Sequence, residues 1–259
     1  MGEETRRLWS FSHRILPAVG AGLAVAGWWA GTRVAAERIE VVAQFGPGPS
    51  LRALAGLLAD GTLFLHATLS IQRVLTGLAL ALLVGIPLGL LTGSRRGVDR
   101  ATAPLFQFLR TISPLSWMPI AVMLMGVGDR AVVFLVAVAA VWPILLNTAA
   151  GVRSLDPGWL LVARGVGAGP AGTLVYVVLP AILSHWVAGL RLALGIAWVI
   201  LVPAEMLGVT SGLGYLILDA RDRLAYDQLV AVVLAIGAIG FLLDGAVRAL
   251  EARWGWQRR

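Results

Sequence analysis

Cysteine and lysine are both missing from this chain of 259 residues. Without cysteine there is no disulfide, no thiolate nucleophile and no sulfur ligand for zinc or an iron–sulfur cluster. Without lysine there is no amine for Schiff-base chemistry and no Walker A loop, whose lysine reaches the nucleotide phosphates. Histidine is scarce, and His13, His66 and His185 stand too far apart in sequence to form a local metal motif. Charged residues make up 14% of the chain, against ~25% in soluble domains. No catalytic set and no cofactor site emerges, and the chain is not read as an enzyme.

What is abundant is apolar. Hydrophobic residues account for 58%, with 31 glycines besides. One soluble core cannot hide that much apolar surface, so the class is a polytopic, all-α membrane protein. All 21 basic residues are arginine, and the net charge is +7. In so apolar a chain that excess reflects the positive-inside rule rather than nucleic-acid binding.

Uncharged runs predict the spans: 15–32, 74–94, 111–128 and 131–152, then about 179–209 and 228–243. At ~1.5 Å per residue most reach the ~30 Å of a hydrocarbon core, and six is the expected count. The last run is short and is completed by snorkelling from Asp244 to Arg248. With the N-terminus inside, 12 arginines and 5 acids fall on the cytoplasmic side, and 6 arginines and 7 acids outside. That asymmetry places both termini in the cytoplasm. Trp9, Trp159, Trp254 and Trp256 fall where aromatic anchors of the interface belong.

Two connections are long. Residues 36–61 form an outer loop in which Leu51–Leu58 is a candidate interfacial helix. Residues 153–176 form an inner segment too short for a domain and too apolar for a free linker. A short helix pair lying along the membrane and offered to a partner is the preferred reading.

Gly77, Gly85, Gly89 and Gly93 make a small-residue ladder in the second span, suited to close helix contact within one subunit or across a dimer seam. The run 167–172 matches a dinucleotide fingerprint in letters only. No strand precedes it, and no acid lies about 20 residues on. The run 208–214 reads as a turn at the outer surface. Pro114, Pro119, Pro143 and Pro203 are expected to kink spans, and Asn147 to bridge helices or line a path. Arg73, near the outer end of the second span, is expected to snorkel, and Asp244 to pair with Arg248 four residues on. Arg191 and Glu205 are the ionisable residues hardest to dismiss. They are 14 residues apart, ~21 Å along one helix, so each needs a partner elsewhere: another helix, water or substrate. Asp244 is one acid that could answer Arg191.

Gly167-Ala168 followed by Leu179-Pro180 resembles the cytoplasmic EAA loop of binding-protein-dependent ABC importer permeases. Ser70 to Gly77 and Ile86 to Gly89 look like the second span of that group. Leu109-Arg110 and Ser113 to Ala121 look like its third. Pro143 to Thr148, Gly151 to Arg153, Gly189 to Arg191, Ala204 to Met206 and Ser211 to Tyr215 also match. Together these motifs, over about residues 60–250, resemble the nitrate/sulfonate/taurine permeases. The chain departs from the pattern where the loop's Glu-Ala-Ala start reads Leu161-Val162-Ala163. Pro170 and Ser184 also replace customary residues.

The resemblance implies an organisation: an N-terminal helix and outer loop over 1–62, the permease domain over 63–250, and a cytoplasmic tail over 251–259. It implies a permease subunit in a bacterial inner membrane, with six spans and the coupling loop between the fourth and fifth. A second copy, separate ATPase subunits that bind the ATP, and an external binding protein are the implied partners. The chain would carry no cofactor of its own and would pass a small anion by alternating access. Ala163, Arg164, Gly167, Ala168, Gly169, Leu179 and Pro180 would couple to the ATPase; Trp117, Pro119, Asn147, Arg191 and Glu205 are the candidates for the path. A self-sufficient secondary transporter is the alternative, which internal inverted repeats would favour; none is found.

Overall fold

The computed structural model describes residues 3–254, without the side chains nearest either end, and every regular element among them is helical. The side chains of the expected anchors Trp9 and Trp254 and of tail residues 251–254, and the whole of residues 255–259 with the expected anchor Trp256, lie outside what the structure describes. Twelve α-helices follow in order: α1 Glu3–Ala36, α2 Pro47–Ala59, α3 Thr62–Ser94, α4 Arg96–Thr111, α5 Met118–Met125, α6 Asp129–Arg153, α7 Pro157–Gly165, α8 Pro170–Thr173, α9 Leu179–Ala181, α10 Leu183–Gly208, α11 Leu213–Asp222 and α12 Tyr226–Trp254. The chain divides into two units, Met1–Leu63 with Ile217–Ala235, and Phe64–Leu216 with Ile236–Arg259.

In the first unit, the Trp28 indole donates to the Phe45 carbonyl at 2.9 Å, and Phe45 stacks on Tyr226. The candidate interfacial helix Leu51–Leu58 is part of α2, which starts four residues earlier because Pro47 is preset for a first helical turn.

In the second unit, α6 and α10 run antiparallel. The Gly128 N–H reaches the Gly208 carbonyl at 2.9 Å at one end. At the other end Gly151 faces His185, and one turn in from there Gly189 faces Asn147. Val132, Leu135 and Val136 of α6 pack with Ala193, Ala197, Leu201 and Ala204 of α10, all nearly or fully buried. Alanines on α10 bring the two axes close, which suits lipid, where packing replaces the hydrophobic drive between helices.

The glycine ladder joins α3 to α6 within the chain. Gly77 meets Val136, Gly85 meets Ile144, Gly89 meets Thr148 and Gly93 meets Val152, always the residue 59 further along. A constant offset means parallel helices in one register, so each glycine leaves the space a side chain of α6 occupies. Of the two uses foreseen for the ladder, the structure shows the one inside a single subunit.

Among the described residues, four helices are long and apolar enough to cross a membrane: α3, α6, α10 and Tyr226–Ala249 of α12. A fifth candidate is bent, α4 and Pro114–Met125 meeting at 86°. The third span expected over 111–128 is therefore corrected in its bounds: the apolar helices are 96–111 and 114–125, with the bend beside Pro114, one of the prolines expected to kink a span. Proline at 114 disfavours helix at the preceding residue, and Ile112 and Ser113 are not helical, with ψ of 127° and 128°. An uncharged run is blind to that change of direction. The expected first span lies inside α1, where several side chains are undescribed.

Candidate functional site

Two features of the second unit concentrate chemistry, at opposite ends of α6. The first lies where α6 starts and α10 stops. Ser70 and Arg73 stand one turn apart on α3, Glu205 is in the last turn of α10, and Asp129 opens α6. Arg73 is only 3% exposed, and all three of its guanidinium nitrogens donate. Nε and Nη2 go to Asp129 at 3.0 and 2.7 Å, Nη1 to Glu205 and the Ser211 carbonyl, and Nη2 also to Ser211 Oγ. The Glu205 carboxylate, with no exposed surface, also accepts from Ser70 Oγ at 2.8 Å and from the Gly214 N–H at 2.9 Å. Ser70 Oγ in turn accepts from the Leu213 N–H.

The arrangement is closed. A buried carboxylate without a partner is very costly, and here Arg73, Ser70 and the Gly214 N–H donate to it while Asp129 and Ser211 accept from the arginine. The structure thus corrects the expectation that Arg73 snorkels: it turns inward, onto an acid 132 residues away. The 208–214 run makes the expected turn and also supplies the lock's backbone donors. Gly212 is there because its φ is +103° and a Cβ would run into the Glu205 carboxylate and the Arg73 guanidinium. Sequence reasoning singled out Glu205 but missed its partners. The usable signal was Ser70 and Arg73 at i, i+3 on one helix face, beside a lone acid in the apolar run of another.

Arg191, the other exposed question, donates from Nε to Asp244 at 3.0 Å, and Asp244 also holds Arg248 at 3.1 Å as expected. Both members of the Arg191 pair are about two-fifths exposed (40% and 42%), unlike the Glu205 lock. Asn147 donates to the Pro143 carbonyl at 2.8 Å, one turn back on its own helix. Trp117 packs on the core cluster, and Pro119 lies in the first turn of α5 on an exposed face. Arg73 and Glu205 are thus brought together, whereas Trp117, Asn147 and Arg191 are not part of that lock.

The second feature follows α6. Asp156 caps α7, its carboxylate accepting from the Gly158 N–H at 2.8 Å, and Pro157 occupies the first helical position. The helix ends at Gly165 and is closed by Gly167, where φ is +76°. There the Ala168 N–H returns to the Ala163 carbonyl and the Gly167 N–H to the Arg164 carbonyl, a Schellman closure. No atom lies within 4 Å of a Cβ placed on Gly167, so glycine serves the backbone angle and not a close approach within the chain. The chain then runs through α8 and a π-helical turn, Leu174–Val178, into α9 and α10. This is the expected short helix pair. A groove of about 420 Å³ lies between its arms, lined by Trp159, Val162, Ala163, Val166, Ala168 and Tyr176 among others. Trp159, Val162, Val166 and Tyr176 are exposed, whereas Ala163 is buried. Arg164 and Gly169 are exposed, and Leu179 and Pro180 lie where the loop joins α10.

Comparison with known proteins bears on this loop and these helices together. The family model of the binding-protein-dependent transport system inner membrane component matches residues 85–256. The bicarbonate transport system permease protein CmpB of Synechococcus elongatus is 40% identical over 197 residues, 75% of this chain and 70% of that one. The taurine transport system permease protein TauC of Escherichia coli is 30% identical over 261 residues, 96% of this chain and 93% of its own. Among solved structures, a chain of the MetNI methionine ABC transporter in an inward-facing form shares the fold. Its TM-score is 0.59 at 17% identity, over 72% of this chain and 93% of that one.

Proposed function

The chain belongs to the binding-protein-dependent transport system inner membrane components, and from that premise we propose how this permease of an ABC importer is built to work. Two copies enclose the path of a small oxyanion, and relatives named for bicarbonate and taurine support that class of cargo. The 153–176 segment and both termini face the cytoplasm, in line with the arginine asymmetry. ATPase subunits seat on the α7–α8 pair, and a binding protein delivers cargo at the opposite end.

One observation carries the reading. The loop after α6 presents an exposed apolar groove on a capped, compact helix pair, and it continues into α10 through a single π-helical turn. A rigid lever needs such a body, and it needs a joint that yields; isolated π turns inside helices often mark functional sites. Movement of α7 and α8 passes to the start of α10, while the Arg73–Glu205 lock holds its far end to α3 and α6. The helix then pivots about the lock, and access alternates between the two sides. Ala163, Arg164, Gly167, Ala168 and Gly169 form the contact face, with Leu179 and Pro180 at the joint. The cytoplasmic ATPases supply the nucleotide chemistry.

Uptake into proteoliposomes holding the permease, its ATPase and its binding protein tests this directly. Bicarbonate, nitrate or taurine should enter only when ATP is supplied. Uptake by the permease alone, without ATP, would instead make it a secondary transporter.

A further inference from the structure

Between α4 and α6 lies a cleft of about 150 Å³, where ~10–15 Å³ is enough to admit one water. Phe106 and Trp142, edge to face at 5.7 Å, form part of its wall. Asp99 and Arg153 pair across its mouth at 3.3 Å, beside the coupling loop. Gln107 and Arg110, one turn apart on α4, line it further in. Arg110 is exposed and has no hydrogen bond, ion pair or ring contact among the described residues. With two arginines and one aspartate, the cleft carries one net positive charge.

Depth is what distinguishes this cation. The helices pair antiparallel, Asp99 with Arg153 at the end of α6 and Phe106 with Trp142, 11 residues earlier. That separation is ~16 Å along α6, and Arg110 lies one further turn of α4 inward. An arginine at that depth in a spanning protein is costly unless a partner, water or ligand answers it. Arg191, by contrast, is answered by Asp244. The planar guanidinium fork suits an oxyanion, which can take two parallel N–H bonds.

We propose that this cleft is a binding site for the transported oxyanion on the loop side of the path, held by Arg110 and the Gln107 amide. Arg153 neutralises Asp99 at the mouth, so the carboxylate does not repel an anion leaving toward the cytoplasm. The proposal rests on the anion-permease reading above.

The test uses the complete importer in phosphatidylcholine vesicles, with Leu146→Cys placed in the otherwise cysteine-free chain. Leu146 lines the cleft and is 38% exposed. Its reaction rates with an anionic and a cationic methanethiosulfonate reagent report the local potential. Arg110→Gln should lower the anionic-to-cationic ratio by roughly fivefold or more, because the two reagents feel the loss of a unit charge lining the same cleft with opposite sign. Arg110→Lys should keep most of the ratio, and all variants should melt at the same temperature. Nitrate, bicarbonate or taurine should slow labelling of Leu146→Cys, and should lose that effect when Arg110→Gln is added. A ratio indifferent to Arg110→Gln overturns the proposal. So does protection that appears only after phosphatidylglycerol is added, since the ligand would then be a lipid headgroup. Protection of Leu146→Cys alone still decides the matter if Arg110→Gln fails to assemble. Anion uptake by the wild type tests the permease reading separately, so the two can fail independently.

Discussion

At the scale of single residues, the lock around Glu205 sets the strongest expectation. Glu205→Ala leaves the buried Arg73 with Asp129 as its one acid among the described residues, and Asp129 is largely exposed (67%). Removing one member of a buried pair costs about 3–5 kcal/mol, whereas replacing both by packed apolar groups is often neutral. Glu205→Ala should therefore sharply lower the melting temperature of the purified protein, and Arg73→Met with Glu205→Leu should recover much of the loss. Equal losses in the single and double variants would mean that the lock matters for something other than charge balance. The Arg191–Asp244 pair is half-exposed by comparison, so losing one member leaves a less deeply buried charge. The arginine that drew attention by its position in a hydrophobic run is thus the less consequential of the two for stability.

At the scale of elements, the parallel register of α3 and α6 depends on glycines without side chains. A Cβ on Gly89 would stand 2.6 Å from Thr148 Cβ, and one on Gly237 of α12 would meet nothing within 4 Å. Gly89→Ala should destabilise by about 1–3 kcal/mol through overpacking. Gly237→Ala should be neutral or gain up to about 1 kcal/mol from helix propensity. Thermal unfolding of the two variants in the same detergent checks the contrast. The coupling loop gives a second expectation. Gly167 needs a positive φ, which asparagine and aspartate tolerate better than most residues. Gly167→Asn should therefore keep much of the ATP-driven uptake, while Gly167→Asp, which adds a charge beside an apolar groove, should abolish it with assembly intact. Equal uptake in both would remove this loop as the lever.

At the scale of the whole molecule, orientation is the property to measure. A cysteine at Gly158 should react with an impermeant thiol reagent only in inverted vesicles, and one at Gly48 only in intact cells. The opposite pattern would reverse the assignment of the loop to the cytoplasm, and with it the seat of the ATPase.

Membership of an all-helical, membrane-spanning class was legible in the sequence because it depends on composition. Long uncharged runs have few ways to satisfy their backbone in lipid other than as helices. The short helix pair after α6 was legible too, because 153–176 is too apolar for a free linker and too short for a domain. What the sequence could not determine was anything that depends on where a distant segment lies. The run 111–128 is as uncharged as its neighbours, yet a proline breaks it, and the direction after the break belongs to the packing of α5 and α6. Arg73 looked free to snorkel because its acid is 132 residues away, and Arg110 was read only as part of a motif, because a cation unanswered among the described residues is visible only once its possible partners have been placed. Hydropathy and capping act within a few turns of helix, whereas charge pairing acts across space, and only the tertiary structure decides which charges meet.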